Sequence, residues 1–249
     1  MEVTYDLSQF SQIGYLREYY STIYNGNEYL LTHFHGAFEK FDKEIPEYLE
    51  IGGGPTIYQL ISAGAKVRHI TFSEFLDVNR KEVENWVENK NGAFNWDIFF
   101  RFVWELERKK DSTLTIKEMK ERLRRKIKRV IPCNVLLDNP LDPLRMQNFD
   151  IIASNFCLES VTDKESVFLQ VLENVTGLLR RGGTLIMSLV KNAHYYNIGD
   201  LNFPVLPVDE EKMGRYLAHM KYVDIQINTM PAEEGHGYHG MMFLTATKP

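Results

Sequence analysis

The stretch YLEIGGGPTIYQL, residues 48–60, constrains the fold of this chain more than any other. It runs from apolar, strand-like residues into an acid, three consecutive glycines and a proline. Glycine loses more backbone entropy on ordering than any other residue, so three in a row indicate that another group must approach the backbone closely. In open α/β sheets, ligands bind beyond the carboxyl ends of the strands. The stretch therefore predicts a strand, a ligand-binding glycine loop and a helix that starts at Pro55 and Thr56.

Strand and helix patterns alternate along most of the chain, which predicts a mostly parallel sheet with helices on both faces. The predicted strands are 47–51, 67–73, 130–136, 149–156, 184–190, 222–229 and 240–247, with 201–206 either strand or loop. The predicted helices are 11–24, 29–43, 56–63, 77–89, 95–105, about 115–127, 164–180 and 209–219. Because no helix separates the last two strands, we expect an antiparallel edge at the C-terminus.

The composition excludes several classes of protein. A net charge of −5 argues against a nucleic-acid-binding protein, which usually carries a basic stripe. Cys133 and Cys157 form neither a disulfide framework nor a metal-ligand pattern, so we expect a reducing compartment and no metal. The sequence contains no run of about 18 apolar residues and no basic, apolar leader at MEVTYDLSQF. These features predict a cytoplasmic protein with no membrane partner.

The glycine loop fits only part of the common nucleotide-binding patterns. Gly52 and Gly54 match a dinucleotide fingerprint, but its third position falls on Ile57. This weakens an NAD-binding interpretation, and the missing Gly-Lys-Ser/Thr excludes a P-loop. Glu74 ends the second predicted strand, where a carboxylate offers two acceptors to two ribose hydroxyls. The alternative interpretation of Glu74 is a solvated acid at a strand end.

Several stretches together resemble one enzyme family. EIGGGPTIYQL is similar to the cofactor loop of class I S-adenosylmethionine-dependent methyltransferases, and GYLREYY (14–20) is similar to the N-terminal lid motif of their small-amine group. That group contains nicotinamide, phenylethanolamine, indolethylamine and thioether methyltransferases. FCLESV, LLRRGGTLIM, YYNIG and GMMFLTATK also match it, and KERLRRKIKRVIP is closest to the phenylethanolamine branch. The resemblance implies one Rossmann-like domain over 1–249, with a helical lid at 1–45, a seven-stranded cofactor-binding sheet at 46–249 and a monomeric state.

The resemblance also implies a set of residues that bind S-adenosylmethionine. Tyr20 and Tyr58 would hydrogen-bond its methionine carboxylate, Glu74 would hold the ribose, and Tyr15 would close over the site. The other implied cofactor residues are Gly52, Gly53, Thr56, Phe75, Asn79, Asn134 and Val135. Gly53 stands where serine is common in the group, Glu74 replaces aspartate, and Asn134 replaces an aspartate that would bond the adenine amino group.

Glu159 is the candidate catalytic residue. An aliphatic amine is mostly protonated at neutral pH, so it must lose a proton before it can attack a methyl group. Glu159 follows the fourth predicted strand, where the phenylethanolamine enzymes carry a glutamate that serves the amine. The alternative is an acid that only stabilises a helix start.

The predicted substrate pocket matches the family less closely. The candidate substrate-binding residues are Tyr19, Leu189, Asn192, Tyr196, His236 and His239. Leu189 and Asn192 stand where branches of the family carry acids, and His33, His35 and the two C-terminal histidines are possible substitutes. The expected function is N-methylation of a small amine or heteroaromatic nitrogen compound. Two alternatives remain: a sulfur or oxygen acceptor on the same fold, which Leu189 favours, and a non-catalytic cofactor-binding regulator.

Overall fold

The computed structural model describes residues 7, 10–108, 113–198, 201–232 and 237–249. Its main sheet contains seven strands: β1 (Ile45–Ile51), β2 (Val67–Glu74), β3 (Ile127–Pro132), β4 (Phe149–Asn155), β5 (Leu179–Lys191), β8 (Val223–Pro231) and β9 (Gly240–Thr247). They lie in the order β3-β2-β1-β4-β5-β9-β8. β1 to β5 are parallel, and β9 is antiparallel to both of its neighbours. The predicted fold class is therefore confirmed.

Helices cover both faces of this sheet. They are α1 (Gln12–Tyr20), α2 (Asn25–Glu39), α3 (Ala63–Lys66), α4 (Asp77–Val87), α5 (Asp97–Arg108), α6 (Ile116–Lys126), α7 (Glu165–Gly177) and α8 (Glu210–His219). Short 3₁₀ turns follow β1 at Tyr58–Leu60 and β4 at Leu158–Ser160. A small antiparallel hairpin, β6 (Tyr195–Ile198) and β7 (Leu201–Pro204), lies between β5 and α8.

The strands β1, β2, β4 and β9 are buried on both faces over most of their length, which explains their nearly continuous apolar sequences, whereas the edge strands β3 and β8 are largely exposed or half-buried. In β1, Tyr48 packs with residues of α2, α3 and α5, whereas Leu49 packs with residues of α7 and α8. Phe34 and Phe38 of α2 are each 1% exposed. Both aromatic residues therefore belong to the core.

Several predicted boundaries are wrong. The helix expected at 56–63 is replaced by the 3₁₀ turn at Tyr58–Leu60 and the single turn of α3. The second helix begins at Asn25 rather than residue 29, because the Asn27 side chain accepts a hydrogen bond from the Tyr24 amide and caps the first turn. β3 begins at Ile127 directly after α6, so the basic run ends in a strand without a loop.

Within the described ranges, no helix is long and apolar enough to cross a membrane. Across the same residues, no three His, Cys, Asp or Glu side chains are grouped as metal ligands.

Candidate active site

A cavity of about 910 Å³ lies at the carboxyl ends of β1, β2 and β4. The glycine loop, the end of β2 and the segment after β4 form its base, and α1 and the β6–β7 hairpin cover it. All the residues predicted to bind the cofactor line this one cavity: Tyr15, Tyr20, Gly52, Gly53, Thr56, Tyr58, Glu74, Phe75, Asn79, Asn134 and Val135. Tyr19 and Tyr196 of the predicted substrate set line it as well.

The glycine loop has no room for side chains at its first two positions. Gly52 has a φ of +63°, and a Cβ there would lie 2.0 Å from Cys157 Sγ. A Cβ on Gly53 would lie 2.3 Å from Cε2 of Phe72. The Thr56 hydroxyl donates to the Gly53 carbonyl oxygen at 2.8 Å and closes the turn. This turn, rather than an immediate helix, brings bare backbone to the cavity wall.

Glu74 is held rigidly at the end of β2. Its Oε2 accepts from the Gly54 amide at 3.0 Å, and its Oε1 accepts from the Leu76 amide at 2.9 Å. The Asn79 amide nitrogen also donates to Oε1, at 3.1 Å. Burial raises the pKa of Glu74, and these donors oppose the shift. Oε1 thus has two donors, whereas Oε2 has one and keeps a lone pair for a ligand. The solvated alternative is wrong, because Glu74 is only 6% exposed.

The loop after β3 and the residue after Glu74 form another part of the wall. The Asn134 amide donates to the Pro140 carbonyl oxygen at 2.8 Å, and its side-chain oxygen accepts from the Leu136 amide at 3.1 Å. Val135 is 5% exposed, whereas Phe75 is 45% exposed. Phe75 and Val135 therefore offer apolar surface to a flat ring.

Three tyrosines form a row of phenols above the glycine loop. The hydroxyls of Tyr15 and Tyr20 lie 3.5 Å apart, and the rings of Tyr20 and Tyr58 have centroids 5.2 Å apart. Burial raises the pKa of all three phenols above the ordinary value of 10. They stay protonated at neutral pH, so each can donate a hydrogen bond to an anionic group.

The hairpin and α1 are joined over the cavity. The Tyr19 hydroxyl donates to the Asn197 carbonyl oxygen at 2.6 Å. Tyr196 stacks on Phe203 with ring centroids 5.1 Å apart, and Phe203 also contacts Phe10. The aromatic residues of these two elements therefore enclose one end of the cavity.

Glu159 lies behind the cavity wall and does not line it. The residue is 0% exposed, and its Oε1 accepts from the Val190 amide at 3.1 Å. Its Oε2 has no hydrogen-bond partner among the described residues. Burial raises its pKa to about 7, against the hydrogen bonds from its own and the Val190 amide.

The remaining predicted substrate residues lie away from the cavity lining. Leu189 is fully buried in the core beside α7 and α8, so its apolar character no longer favours a sulfur or oxygen acceptor. The Asn192 side-chain nitrogen lies 3.4 Å from His239 Nδ1, outside the lining. His33 packs against Tyr29 and Phe243. His236 lies outside the described residues.

Comparison with known proteins identifies the protein family. The model of the NNMT/PNMT/TEMT family matches residues 2–249. The chain belongs to this family.

Two relatives support this assignment. Phenylethanolamine N-methyltransferase of Sus scrofa is 36% identical over 207 residues, covering 80% of this chain and 72% of the relative. Human nicotinamide N-methyltransferase is 30% identical over 211 residues, covering 82% and 79%. The chain is therefore a methyltransferase, as the sequence predicted.

The fold agrees with solved structures of distant methyltransferases. An S-adenosylmethionine-dependent methyltransferase from Methanosarcina mazei superposes with a TM-score of 0.55 at 12% identity, covering 84% of this chain and 95% of that one. At this identity the likeness concerns the fold, and it agrees with the predicted class I architecture.

The sequence did not predict Asn155 of the cavity lining or the buried acid beside it, Glu50. Glu50, 0% exposed, lies two positions before Gly52. It accepts hydrogen bonds from the side chains of Tyr48, Gln59 and Asn155, and burial raises its pKa to about 7. Asn155 lines the cavity. An acid in the apolar sequence of β1 could have indicated Glu50, whereas no local sequence pattern indicated Asn155.

Proposed function

We propose that this chain transfers a methyl group from S-adenosylmethionine to a nitrogen of a small amine or heteroaromatic compound. The observation that supports this is a single cavity that joins the glycine loop and Glu74 with an enclosure of tyrosines. The names of the relatives, phenylethanolamine and nicotinamide N-methyltransferase, favour a nitrogen acceptor. A methyl-transfer screen against amines and pyridines distinguishes an aliphatic amine from a ring nitrogen as the methyl acceptor.

The residues present fit this methyl donor. Gly52 and Gly53 leave the backbone bare where the methionine part would lie, and Glu74 Oε2, which has one donor in the protein, keeps a lone pair for a ribose hydroxyl. The protonated phenols of Tyr20 and Tyr58 would donate to the carboxylate. When bound, S-adenosylmethionine supplies an electrophilic methyl group on a positively charged sulfur.

The other wall of the cavity positions the acceptor. Displacement at a methyl group requires the nucleophile about 3 Å away and in line, so orientation is the main contribution of the protein. Val190 and Val205 give this wall an apolar surface, and Tyr19 and Tyr196 close it. Aromatic faces also favour the cation that forms when nitrogen gains a methyl group.

Glu159 is proposed as the group that receives the amine proton. A general base works best when its pKa lies near the operating pH, and the pKa of Glu159 is about 7. Its unpartnered Oε2 faces no other described hydrogen-bonding group. Glu159 lies behind the lining and its Oε2 has essentially no accessible surface, so the wall at Ser160 and Val190 would have to move before the carboxylate receives the proton.

The deciding experiment is a methyl-transfer screen by mass spectrometry against monoamines, indolethylamines, pyridines and thioethers, with S-adenosylhomocysteine binding measured by calorimetry. Turnover of an amine or pyridine supports the proposal. Turnover of thioethers alone would move the acceptor to sulfur. If S-adenosylhomocysteine does not bind, the enzyme assignment fails, and if it binds without any turnover, a regulatory role replaces it.

The role of Glu159 has its own test. Glu159→Gln should slow methylation of aliphatic amines more than that of pyridines, since a pyridine nitrogen has no proton to lose. Equal slowing of both acceptor classes would mean that Glu159 is not the base.

Oligomeric state and location complete the proposal. We place the enzyme in the cytoplasm as a single-domain monomer, consistent with an exposed surface of ordinary charge and two free thiols, Cys133 and Cys157. Sedimentation velocity on the purified chain and imaging of a tagged copy in its native cell test these two points.

A further inference from the structure

Trp96 contacts both tyrosines that the proposed function assigns to the carboxylate of the methyl donor, although Trp96 itself does not line the cavity. It lies directly before α5 and is 1% exposed. Its ring centroid lies 5.5 Å from that of Tyr20 and 6.4 Å from that of Tyr58. Tyr20 ends α1, and Tyr58 follows the glycine loop. One side chain therefore contacts two separate parts of the cavity wall from behind.

The positions of the two phenols depend on ring packing. The hydroxyls of Tyr15 and Tyr20 lie 3.5 Å apart, at the limit of hydrogen-bond distance, so this contact holds the Tyr20 hydroxyl only weakly. The rings of Tyr20 and Tyr58 also contact Phe99, with centroids 5.9 and 6.1 Å away. Aromatic rings at such distances attract each other beyond the effect of their burial. Trp96 and Phe99 therefore determine where the two hydroxyls point.

Trp96 is itself fixed in place by α5. Its carbonyl oxygen accepts from the amides of Phe99 and Phe100, both at 3.0 Å, in the first turn of the helix. Its ring makes T-shaped contacts with Phe94 and Phe99, with centroids 4.8 and 5.2 Å away. α5 in turn packs against α2. Because its backbone and its ring are both held, Trp96 offers the tyrosines a fixed surface.

We propose that Trp96 is a positioning residue for the methyl donor, because it holds the phenols of Tyr20 and Tyr58 where both can donate to the carboxylate. This inference rests on the proposed function, since the two phenols have this role only if S-adenosylmethionine binds in the cavity. Trp96→Leu removes the indole from behind both rings and leaves space into which they can turn. A phenol that has turned away no longer donates to the carboxylate.

The nucleoside end of the site has separate supports. Glu74, which is assigned to the ribose, is held by the amides of Gly54 and Leu76 and by the side chain of Asn79. Loss of the indole should therefore weaken binding of the amino-acid end of the ligand and spare the nucleoside end. This difference separates a positioning role from a general loss of stability, which would weaken binding of both ends.

Calorimetry tests this with two ligands that share the nucleoside and the thioether sulfur: S-adenosylhomocysteine and 5′-methylthioadenosine, which lacks the amino-acid part. The wild type should prefer S-adenosylhomocysteine at least about tenfold, as expected for a hydrogen bond to a charged group. Trp96→Leu should lower this preference at least about tenfold and leave the affinity for 5′-methylthioadenosine nearly unchanged. Trp96→Phe, which keeps an aromatic ring beside both tyrosines, should retain most of the preference.

A double-variant cycle tests whether Trp96 acts through Tyr20. In the wild type, Tyr20→Phe should weaken S-adenosylhomocysteine binding at least about tenfold. In the Trp96→Leu background the Tyr20 phenol is already displaced, so Tyr20→Phe should weaken binding by no more than about threefold. Additive losses would mean that Trp96 does not act through Tyr20, and they would overturn the inference.

The matched control is Trp86→Leu. Trp86 is 3% exposed and belongs to the same core cluster. Among the described residues its ring stacks on Phe100 and contacts neither cofactor tyrosine, so Trp86→Leu should leave the ligand preference as in the wild type. If Trp96→Leu does not fold, Trp96→Met replaces it. An unchanged preference in the folded variant, or an equal loss of preference in Trp86→Leu, would overturn the inference. If the wild type binds neither ligand, the proposed function itself fails.

Discussion

Gly53→Ser tests how closely the glycine loop is packed from beneath. Gly53 does not adopt a positive φ, so a side chain there is opposed by packing and not by the backbone conformation. A Cβ would lie 2.3 and 2.4 Å from two ring carbons of Phe72 and 3.0 Å from Glu50 Cγ. Phe72 is 0% exposed in β2, so its ring cannot turn into solvent to make room.

The expected cost follows from this overlap. Overpacking a well-filled core typically costs about 1–3 kcal/mol, and the free energy of unfolding of Gly53→Ser should fall by about that amount. Phe72→Ala alone should cost about 3–5 kcal/mol, because it leaves a cavity. In the Phe72→Ala background the serine has space, so Gly53→Ser should cost little, giving a coupling energy of about 1–3 kcal/mol.

Urea unfolding of the wild type, both single variants and the double variant measures this cycle. Binding of S-adenosylhomocysteine to Gly53→Ser, measured in parallel, reports whether the loop has shifted. A Gly53→Ser variant within about 0.5 kcal/mol of the wild type, or one with the same cost in both backgrounds, would refute the packing argument.

Three other substitutions test separate parts of the structure. Tyr20→Phe should weaken S-adenosylhomocysteine binding by about 1.5–3 kcal/mol through one lost hydrogen bond to a charged acceptor; an unchanged dissociation constant contradicts the role of Tyr20. The pKa of Glu159 is raised from 4.5 to about 7, so the wild type loses stability as pH rises across that range, whereas Glu159→Gln does not. Urea titrations should find the variant gaining up to about 3 kcal/mol relative to the wild type between pH 4.5 and pH 8, and a pH-independent difference would argue against a buried acid. Lys248 donates to the carbonyl oxygens of Thr176 and Leu179 at the end of α7, at 2.8 and 2.7 Å. Lys248→Met should therefore lower the free energy of unfolding by about 1–2 kcal/mol in the same assay. An unchanged free energy of unfolding would mean that this cap is dispensable.

Local sequence patterns were sufficient to predict the sheet. The central strands β1, β2 and β4 are apolar, bounded by turn residues and buried on both faces over most of their length, so their apolar runs were visible without knowledge of their partners. The helix predicted at 56–63 failed for a conformational reason. Gly52 and Gly54 take positive φ values of +63° and +61°, which turn the chain sharply, and the turn closed by Thr56 uses the residues that a helix would have needed.

The predicted cofactor residues could be proposed from the sequence because they lie in short continuous motifs, and all of them line the cavity. Glu159 and Asn155 differ, because their environments are set by distant segments. The Val190 amide that binds Glu159 is 31 positions away, and Glu50, which binds Asn155, is 105 positions away. No local sequence pattern predicts the burial of Glu159 or the hydrogen-bond partners of Asn155.

The topology explains why these distant residues meet. β1 has β2 on one side and β4 on the other, so the chain leaves β1 toward one edge of the sheet and later returns on the opposite side. This is the switch point at which open α/β sheets leave a crevice. The loops after β1 and β4 face each other across it, and Cys157 Sγ occupies the space that a Gly52 side chain would need. A side chain at position 52 would therefore press on the β4 loop as well as on a ligand, so the first glycine is required by the fold itself, independently of what the cavity binds.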